Sequence, residues 1–317
     1  ADLFVGAFLT EKSDPAQAEL VPTTDNLLHE MYQRFNSAQQ NEKHRAILNR
    51  CHELCREARV LHWPLAFPHI FARGGFDCVL ANPPWEVSQL GEEEYFASSA
   101  PEIAALSGSK RKKAIADLAE SNPRLWQKYL VDKRLYEASN CFFRESERFT
   151  LTAVGKLNTY SLFAESISQA YAPNGRAGFV VPSGIATDDS TKAYFASIAT
   201  TGRLVSLFDF ENREKLFPAV DSRVKFCLMT LGKAAETRFA FFMTQTEQLA
   251  DARRGFSLSP EDFAMINPNT RTCPIFRSRR DAELTRKIYR RVPVLLKTGT
   301  DDSEEATDDE NSDTSTK

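Results

Sequence analysis

Apolar positions recur along this chain with two periods. Spacings of three and four residues put side chains on one face of a helix. They group Leu27, Leu28, Met31, Tyr32 and Phe35 behind a cap at Thr24 or Asp25. They also group Ile47, Cys51, Leu54, Cys55 and Ala58, which predicts a helix over 41–60 with a mixed Lys, Arg and Glu face in water. A clearer stripe, Tyr160, Phe163, Ile167, Ala170 and Tyr171, predicts a helix over 159–172 that Pro173-Asn174-Gly175 stops. Shorter helices are expected at 192–200 and, strongly basic, at 281–291. Compact apolar runs rich in strand formers predict buried strands at 76–80, 177–181, 204–210, 225–231 and 238–243. A helix followed by a strand so soon after the first strand implies parallel pairing with a right-handed crossover. The last two strands are near enough in sequence to form an antiparallel hairpin at the sheet edge.

The remaining segments divide the chain. Residues 1–72 read as a helical lead-in, closed by an aromatic, proline-rich stretch at 61–71 and a turn at Gly74-Gly75. His62, alone beside Trp63, is expected to pack rather than to catalyse. Residues 73–245 hold the strands. They are interrupted at 87–158 by a helical insertion in which Trp126, Tyr129 and Leu130 pack. The basic run Lys110-Arg111-Lys112-Lys113 is either a solvated face or a phosphate contact. Residues 246–298 form a C-terminal extension, polar and irregular at 260–272, and 299–317 an acidic tail with too few apolar residues to fold.

Composition sharpens this picture. No apolar run approaches the ~18 residues of a membrane span, and no secretory leader is visible, so a soluble cytoplasmic protein is expected. The six cysteines are scattered, and Cys78 and Cys227 sit in strand patterns as buried thiols of a reducing compartment. Cys51 and Cys55 lie one helical turn apart, without the second ligand pair that zinc needs. The net charge of −3 conceals −7 on residues 301–317 and +4 on the rest. The chain opens on Ala1 in what reads as the middle of an element, which suggests a piece of a longer polypeptide.

The chemistry concentrates where the first strand stops, at Phe76-Asp77-Cys78-Val79-Leu80-Ala81-Asn82-Pro83-Pro84-Trp85. Two prolines cannot continue a central strand, and each extends the residue before it. The result is a rigid tip at a carboxyl strand end, the place where open α/β sheets bind ligands. Asn82-Pro83-Pro84-Trp85 resembles the catalytic motif of amino-group DNA methyltransferases, whose pattern is Asn/Asp/Ser-Pro-Pro-aromatic, with Asn typical of the adenine branch. The strand before it, the segment from Thr159 to Ser183, and Phe217-Pro218 before a strand are similar to further motifs of that family, in the same order. Gly184-Ile185-Ala186-Thr187-Asp188-Asp189, Asp209-Phe210-Glu211-Asn212-Arg213 and Val220-Asp221-Ser222-Arg223 resemble the large type IIG-like restriction–modification methylases. The resemblance spans about residues 1–292.

The resemblance implies part of a Rossmann-like methyltransferase sheet with an antiparallel edge hairpin and helical additions. It implies transfer of a methyl group from S-adenosylmethionine to the exocyclic amino group of adenine in double-stranded DNA, in a restriction–modification or phage-defence protein. An exocyclic amino nitrogen is a poor nucleophile because its lone pair is delocalised into the ring. The Asn82 oxygen and the Pro83 carbonyl can accept its two hydrogens and steer it towards tetrahedral geometry. Pro83 and Pro84 hold those acceptors still, and no metal is needed. Trp85 offers a face to the flipped base. Phe217 stacks from the other side or is an ordinary core ring. Asp188 and Asp189 line the crevice or are simply an acidic pair at a helix N-terminus, the reading favoured here. Arg213 and Arg223 bind phosphate or pair with Glu214 and Asp221.

One part of the family pattern is missing. The donor-binding strand should end in a glycine-rich loop. Only Gly6, Gly74 and Gly75 precede Asn82, without a Gly-x-Gly, and none follows. Donor binding therefore calls for a missing N-terminal half or a partner subunit. The alternative is an inactive fragment or a DNA-binding remnant of such an enzyme.

Overall fold

The computed structural model describes residues 1–32, 42–270 and 272–294. Phe35 and the acidic segment 299–317 lie outside the described residues. Six strands, β1 (Phe76–Ala81), β2 (Tyr171–Pro182), β3 (Leu204–Glu211), β4 (Lys225–Leu231), β5 (Thr237–Met243) and β6 (Phe256–Leu258), form one mixed sheet in the order β1-β2-β4-β3-β5-β6. The pairs β1–β2 and β3–β5 are parallel, and β2–β4, β3–β4 and β5–β6 are antiparallel. The fold is α/β, as the sequence pattern implies.

Sequence proximity misplaces one pairing. β4 does not form a hairpin with β5; it inserts antiparallel between β2 and β3, and β3 separates the two. The reason lies in its side chains. Cys227, Met229 and Leu231 face one side of the sheet and Phe226 and Leu228 the other. A strand apolar on both faces belongs in the middle of a sheet. The antiparallel pair at the edge is β5 with the three-residue β6, which the pattern did not reveal.

Six helices precede the sheet: α1 (Asp2–Leu9), α2 (Pro15–Ala18), α3 (Thr24–Tyr32), α4 (Glu42–Glu57), α5 (Trp63–Ala66) and α6 (Pro68–Phe71). The first four of the helices after β1 are α7 (Glu92–Phe96), α8 (Pro101–Ala104), α9 (Gly108–Ser121) and α10 (Pro123–Glu145). Phe96, Ile103, Ile115, Leu118 and Tyr129 give these four a small core of their own. A bridge between Val87 and Asn158 closes the segment at its base. Arg111 of the basic run is tied to Glu93 at 2.9 Å and to the Ala104 carbonyl at 2.8 Å, while Lys110, Lys112 and Lys113 are exposed.

α1 packs on α4, so closely that a Cβ at Gly6 would lie 2.4 Å from the Cys51 sulfur. Burial pushes the Cys51 thiol up to about 11 and the Cys55 thiol up to about 12, so both stay protonated and serve as core residues. His62 donates from Nε2 to Asp2 Oδ1 at 2.6 Å, and His52 donates to the other oxygen. His62 is thus an anchor for α1, in keeping with a packed role.

The main core lies on one face of the sheet. Ala177, Phe179 and Val181 of β2 meet Tyr160, Ala164 and Ile167 of α11 (Thr159–Ala170). After α12 (Gly184–Thr187), α13 (Lys192–Thr200) adds Tyr194, Phe195 and Ile198. α14 (Pro260–Ile266) adds Phe263 and Ile266, and α15 (Arg279–Arg291) adds Ala282. The expectation of irregular structure at 260–272 is therefore corrected in its first half. Ser259 and Asp262 form a reciprocal capping box around Pro260, which starts a helix despite its polar composition.

The junction of α11 and β2 also departs from expectation. The helix ends at Ala170 and Tyr171 already pairs with Phe76, so Pro173-Asn174-Gly175 lies within β2. There it forms a bulge: the next partners are Cys78 and Arg176. Gly75 makes this junction possible. Its φ is +122°, and a Cβ would lie 2.5 Å from the Ala170 carbonyl oxygen. Gly75→Ala is expected to destabilise the protein by about 1–3 kcal/mol through strain and clash. A lowered urea midpoint at unchanged m-value checks this.

β1 is an edge strand, and the prediction of a buried strand fails on one face. Cys78 is exposed, and Leu80 is 88% exposed, because among the described residues no layer covers that part of β1. Trp63, Phe67 and Phe71 surround Phe76 at the start of the strand, with centroids 5.9, 5.5 and 5.6 Å away. Leu61, Trp63 and Leu65 are themselves at least half exposed. Among the described residues no helix is long and apolar enough to cross a membrane.

Candidate active site

The tip of β1 is fixed from below and free above. Pro83 is buried and Pro84 exposed. Thr159, the first residue of α11, braces the turn. Its hydroxyl lies 2.8 Å from the Pro84 carbonyl and 3.0 Å from that of Glu86, and it accepts the Glu86 N–H at 3.0 Å. The Thr159 N–H donates to the Glu86 carbonyl at 2.8 Å. Asn82 is exposed, and its amide makes no hydrogen bond among the described residues. No side chain among them donates to the Pro83 carbonyl. The Asn82 side-chain oxygen and the Pro83 carbonyl, the two acceptors expected from the sequence, therefore carry no side-chain partner among the described residues, on a backbone that prolines and Thr159 hold.

The aromatic residues form a row around a residue that the sequence reading did not single out. Phe226, 3% exposed, stacks on Phe210 at 5.5 Å and 10° and on Trp85 at 6.4 Å and 29°. Phe217 meets the same ring edge-on at 4.9 Å and 70°. The Trp85 indole N–H donates to the Val180 carbonyl at 3.3 Å, which pins the ring to β2. Trp85 and Phe217, expected as opposite walls, thus share Phe226 as a common neighbour. Trp85 is half-buried on it, and Phe217 keeps 36% of its surface exposed. Phe226 lay hidden inside an apolar strand, and its facing away from the main core was the available signal.

Polar groups tie the neighbouring strand ends together. Asp209 is buried at the end of β3, where it accepts from the Ser183 hydroxyl and, at 3.2 Å, from the Phe242 N–H. Glu211 pairs with Lys225 at 3.1 Å and Arg213 at 2.6 Å. The Lys225 contact, aided by Arg213 and opposed by burial, holds the Glu211 carboxyl below its ordinary value. Arg223 pairs with Asp221 at 3.0 Å, one of the two readings open for it, whereas Arg213 chooses Glu211 rather than Glu214. Asp189 pairs with Lys192 at 2.8 Å in the turn leading into α13, and neither Asp188 nor Asp189 makes a side-chain cap hydrogen bond there.

The described glycines do not form a cradle for a methyl donor. At the strand ends a Cβ on Gly184 would strike the Asp188 carboxylate at 2.3 Å, and one on Gly232 would strike Arg176 at 2.2 Å. Gly108 and Gly155 face open space in the helical segment and the loop after it. A cavity of about 490 Å³ lies at the far side of the sheet, lined by Arg238 and Phe239 of β5, Gly255 and Phe256 near β6, and Arg279 and Arg286 of α15. None of the residues at the β1 tip lines it.

Residues 12–116 match the family model described as Eco57I restriction-modification methylase. The segment includes Asn82-Pro83-Pro84-Trp85, and the family agrees with the restriction–modification methylase that the sequence motifs resemble. Among solved structures, the chain is similar to a type I restriction-modification methyltransferase subunit from Streptococcus thermophilus, at 13% identity and a TM-score of 0.39. That match covers 76% of this chain and 47% of the other. It is also similar to the ATP-dependent type ISP restriction-modification enzyme LlaBIII bound to DNA, at 12% identity and a TM-score of 0.28, covering 65% of this chain and 12% of that one. The chain thus spans less than half of the length of either protein. No curated protein matches the chain.

Proposed function

We propose that this restriction–modification methylase chain is the catalytic-loop part of an adenine-specific DNA methyltransferase of type IIG-like organisation. The observation that carries the reading is the exposed, unbonded Asn82 amide on a braced strand tip. The Asn82 oxygen and the Pro83 carbonyl accept the two hydrogens of a flipped adenine amino group. This orients the nitrogen lone pair and costs little reorganisation, because Pro83 is buried and Thr159 secures the turn. Trp85 supplies an aromatic face beside the amide, and Phe217 an exposed ring on the same aromatic row.

S-adenosylmethionine is the donor that this reading requires, and the described residues of this chain do not fit it. The donor is bound by a further part of the enzyme. The open edge of β1, with Leu80 exposed and Trp63, itself half exposed, against Phe76 at the start of the strand, is the surface where such a part completes the sheet. Residues 87–158 are the helical insertion of this catalytic half. Two measurements test the proposal together. Calorimetry of S-adenosylmethionine against this chain alone is expected to show no micromolar binding. The complete enzyme, carrying its donor-binding part, is expected to form N6-methyladenine in duplex DNA. Failure of the complete enzyme to methylate any adenine leaves the inactive-remnant reading.

A further inference from the structure

Asn212 stands at the end of β3, carries a polar side chain, and is 0% exposed. Every side-chain hydrogen bond it makes among the described residues goes to one loop. Its Oδ1 accepts the Phe217 N–H at 2.9 Å, and its Nδ2 lies 3.0 Å from the Phe217 carbonyl. The same Nδ2 is 3.0 Å from the Val220 carbonyl and 3.3 Å from that of Asp221. Its backbone N–H donates to the Val224 carbonyl at 3.0 Å. Lys215, in the left-handed conformation at φ 55°, closes the turn by donating from Nζ to the Val220 carbonyl at 3.0 Å. One buried amide therefore grips both backbone polar atoms of Phe217. A buried amide satisfied in this way is costly to disturb, since loss of one partner strands several others.

From this geometry we infer that Asn212 is a positioning residue for the base-stacking ring, acting through Phe217 rather than on the substrate. The inference rests on the proposed adenine site for its functional consequence, but the clamp itself does not. Phe217 keeps 36% of its surface exposed, and its one aromatic contact among the described residues is edge-on to Phe226. Fixing its peptide fixes where the ring stands. Asn212→Asp is the informative variant because it is nearly isosteric. It keeps an acceptor for the Phe217 N–H but turns a carboxylate towards three carbonyl oxygens.

Two readouts test the clamp. Amide exchange at Phe217 is expected to be slow in the natural chain and to speed up by at least about 100-fold in Asn212→Ala, relative to amides in β4. This follows from local opening of a loop whose buried anchor is gone. Equal exchange in the two proteins overturns the clamp whatever the enzyme's activity. In the complete enzyme, Asn212→Asp is expected to lower kcat by about 10- to 100-fold while changing KM for DNA less than threefold. In a Phe217→Ala background the same substitution is expected to cost less than about threefold, because residues that act as a unit are not additive. An equal loss in both backgrounds overturns the proposal, since Asn212 then acts elsewhere. If exchange behaves as expected but Asn82→Ala keeps full turnover, the adenine-site reading has failed and the clamp stands.

Discussion

Asn82→Ala is expected to lower methyl transfer by the complete enzyme at least 100-fold, on the order of 3 kcal/mol of transition-state stabilisation, without weakening the fold. The two halves of that expectation come from the same observation. Asn82 is exposed and unbonded, so its removal costs the folded state no hydrogen bond and leaves no cavity. Its backbone leads into a turn in which Thr159 fixes the Pro84 and Glu86 carbonyls. An acceptor held ready costs no reorganisation when the amino group arrives. Asn82→Asp keeps an acceptor oxygen and is expected to retain part of the activity. Steady-state kinetics on an adenine-containing duplex, with urea denaturation of the same variants, checks both halves. Full turnover by Asn82→Ala removes Asn82 from the chemistry.

Much of the architecture was legible because it rests on local rules. The helices over 42–57 and 159–170 show their spacing openly, and the strands at β1 to β5 show as compact apolar runs. The stop at Asn82 follows from proline chemistry alone. What was illegible depends on long-range pairing. β4 joins β2 and β3 rather than its sequence neighbour β5, because pairing follows the faces that must be covered. Leu80 and Cys78 were expected inside, since an apolar run says that burial is favoured but does not supply the layer that performs it. Among the described residues β1 has a neighbour on one edge only.

The site shows the same division. Asn82, Pro83, Pro84 and Trp85 are contiguous, so their relation to one another is written in the chain. Thr159, Asn212 and Phe226 come from three other elements and meet the motif or its aromatic row only in the fold. Each carries a weak signal that chemistry makes readable afterwards. A threonine opening a helix has a hydroxyl to give. An asparagine closing an apolar strand must find partners, because a buried amide without them is expensive. A large ring on the less covered face of a central strand has something to hold up.

Phe226 leads to the second large effect. Phe226→Ala is expected to destabilise the protein by about 3–5 kcal/mol, the usual range for deleting a buried ring. The ring is 3% exposed and touches Phe210, Trp85 and Phe217 at once, with Leu216, Leu228 and Met243 in the same cluster. That loss is a large fraction of a typical domain stability. It is also expected to free Trp85 on one side, leaving the indole held by its single bond to Val180. The alanine variant alone confounds fold and site, so Phe226→Leu separates them. Leucine restores most of the apolar volume and is expected to cost less than about 1.5 kcal/mol. It has no flat face for the Trp85 and Phe210 rings to lie against. Stability of Phe226→Leu is therefore expected to return close to the natural value by urea denaturation, while turnover of the complete enzyme stays reduced by about tenfold at a temperature where the variant is fully folded. Natural turnover in Phe226→Leu would reduce the aromatic row to ordinary packing and leave Asn82 and Pro83 as the site's only working groups. Reduced turnover at restored stability assigns Phe226 the task of setting the plane on which the base is received.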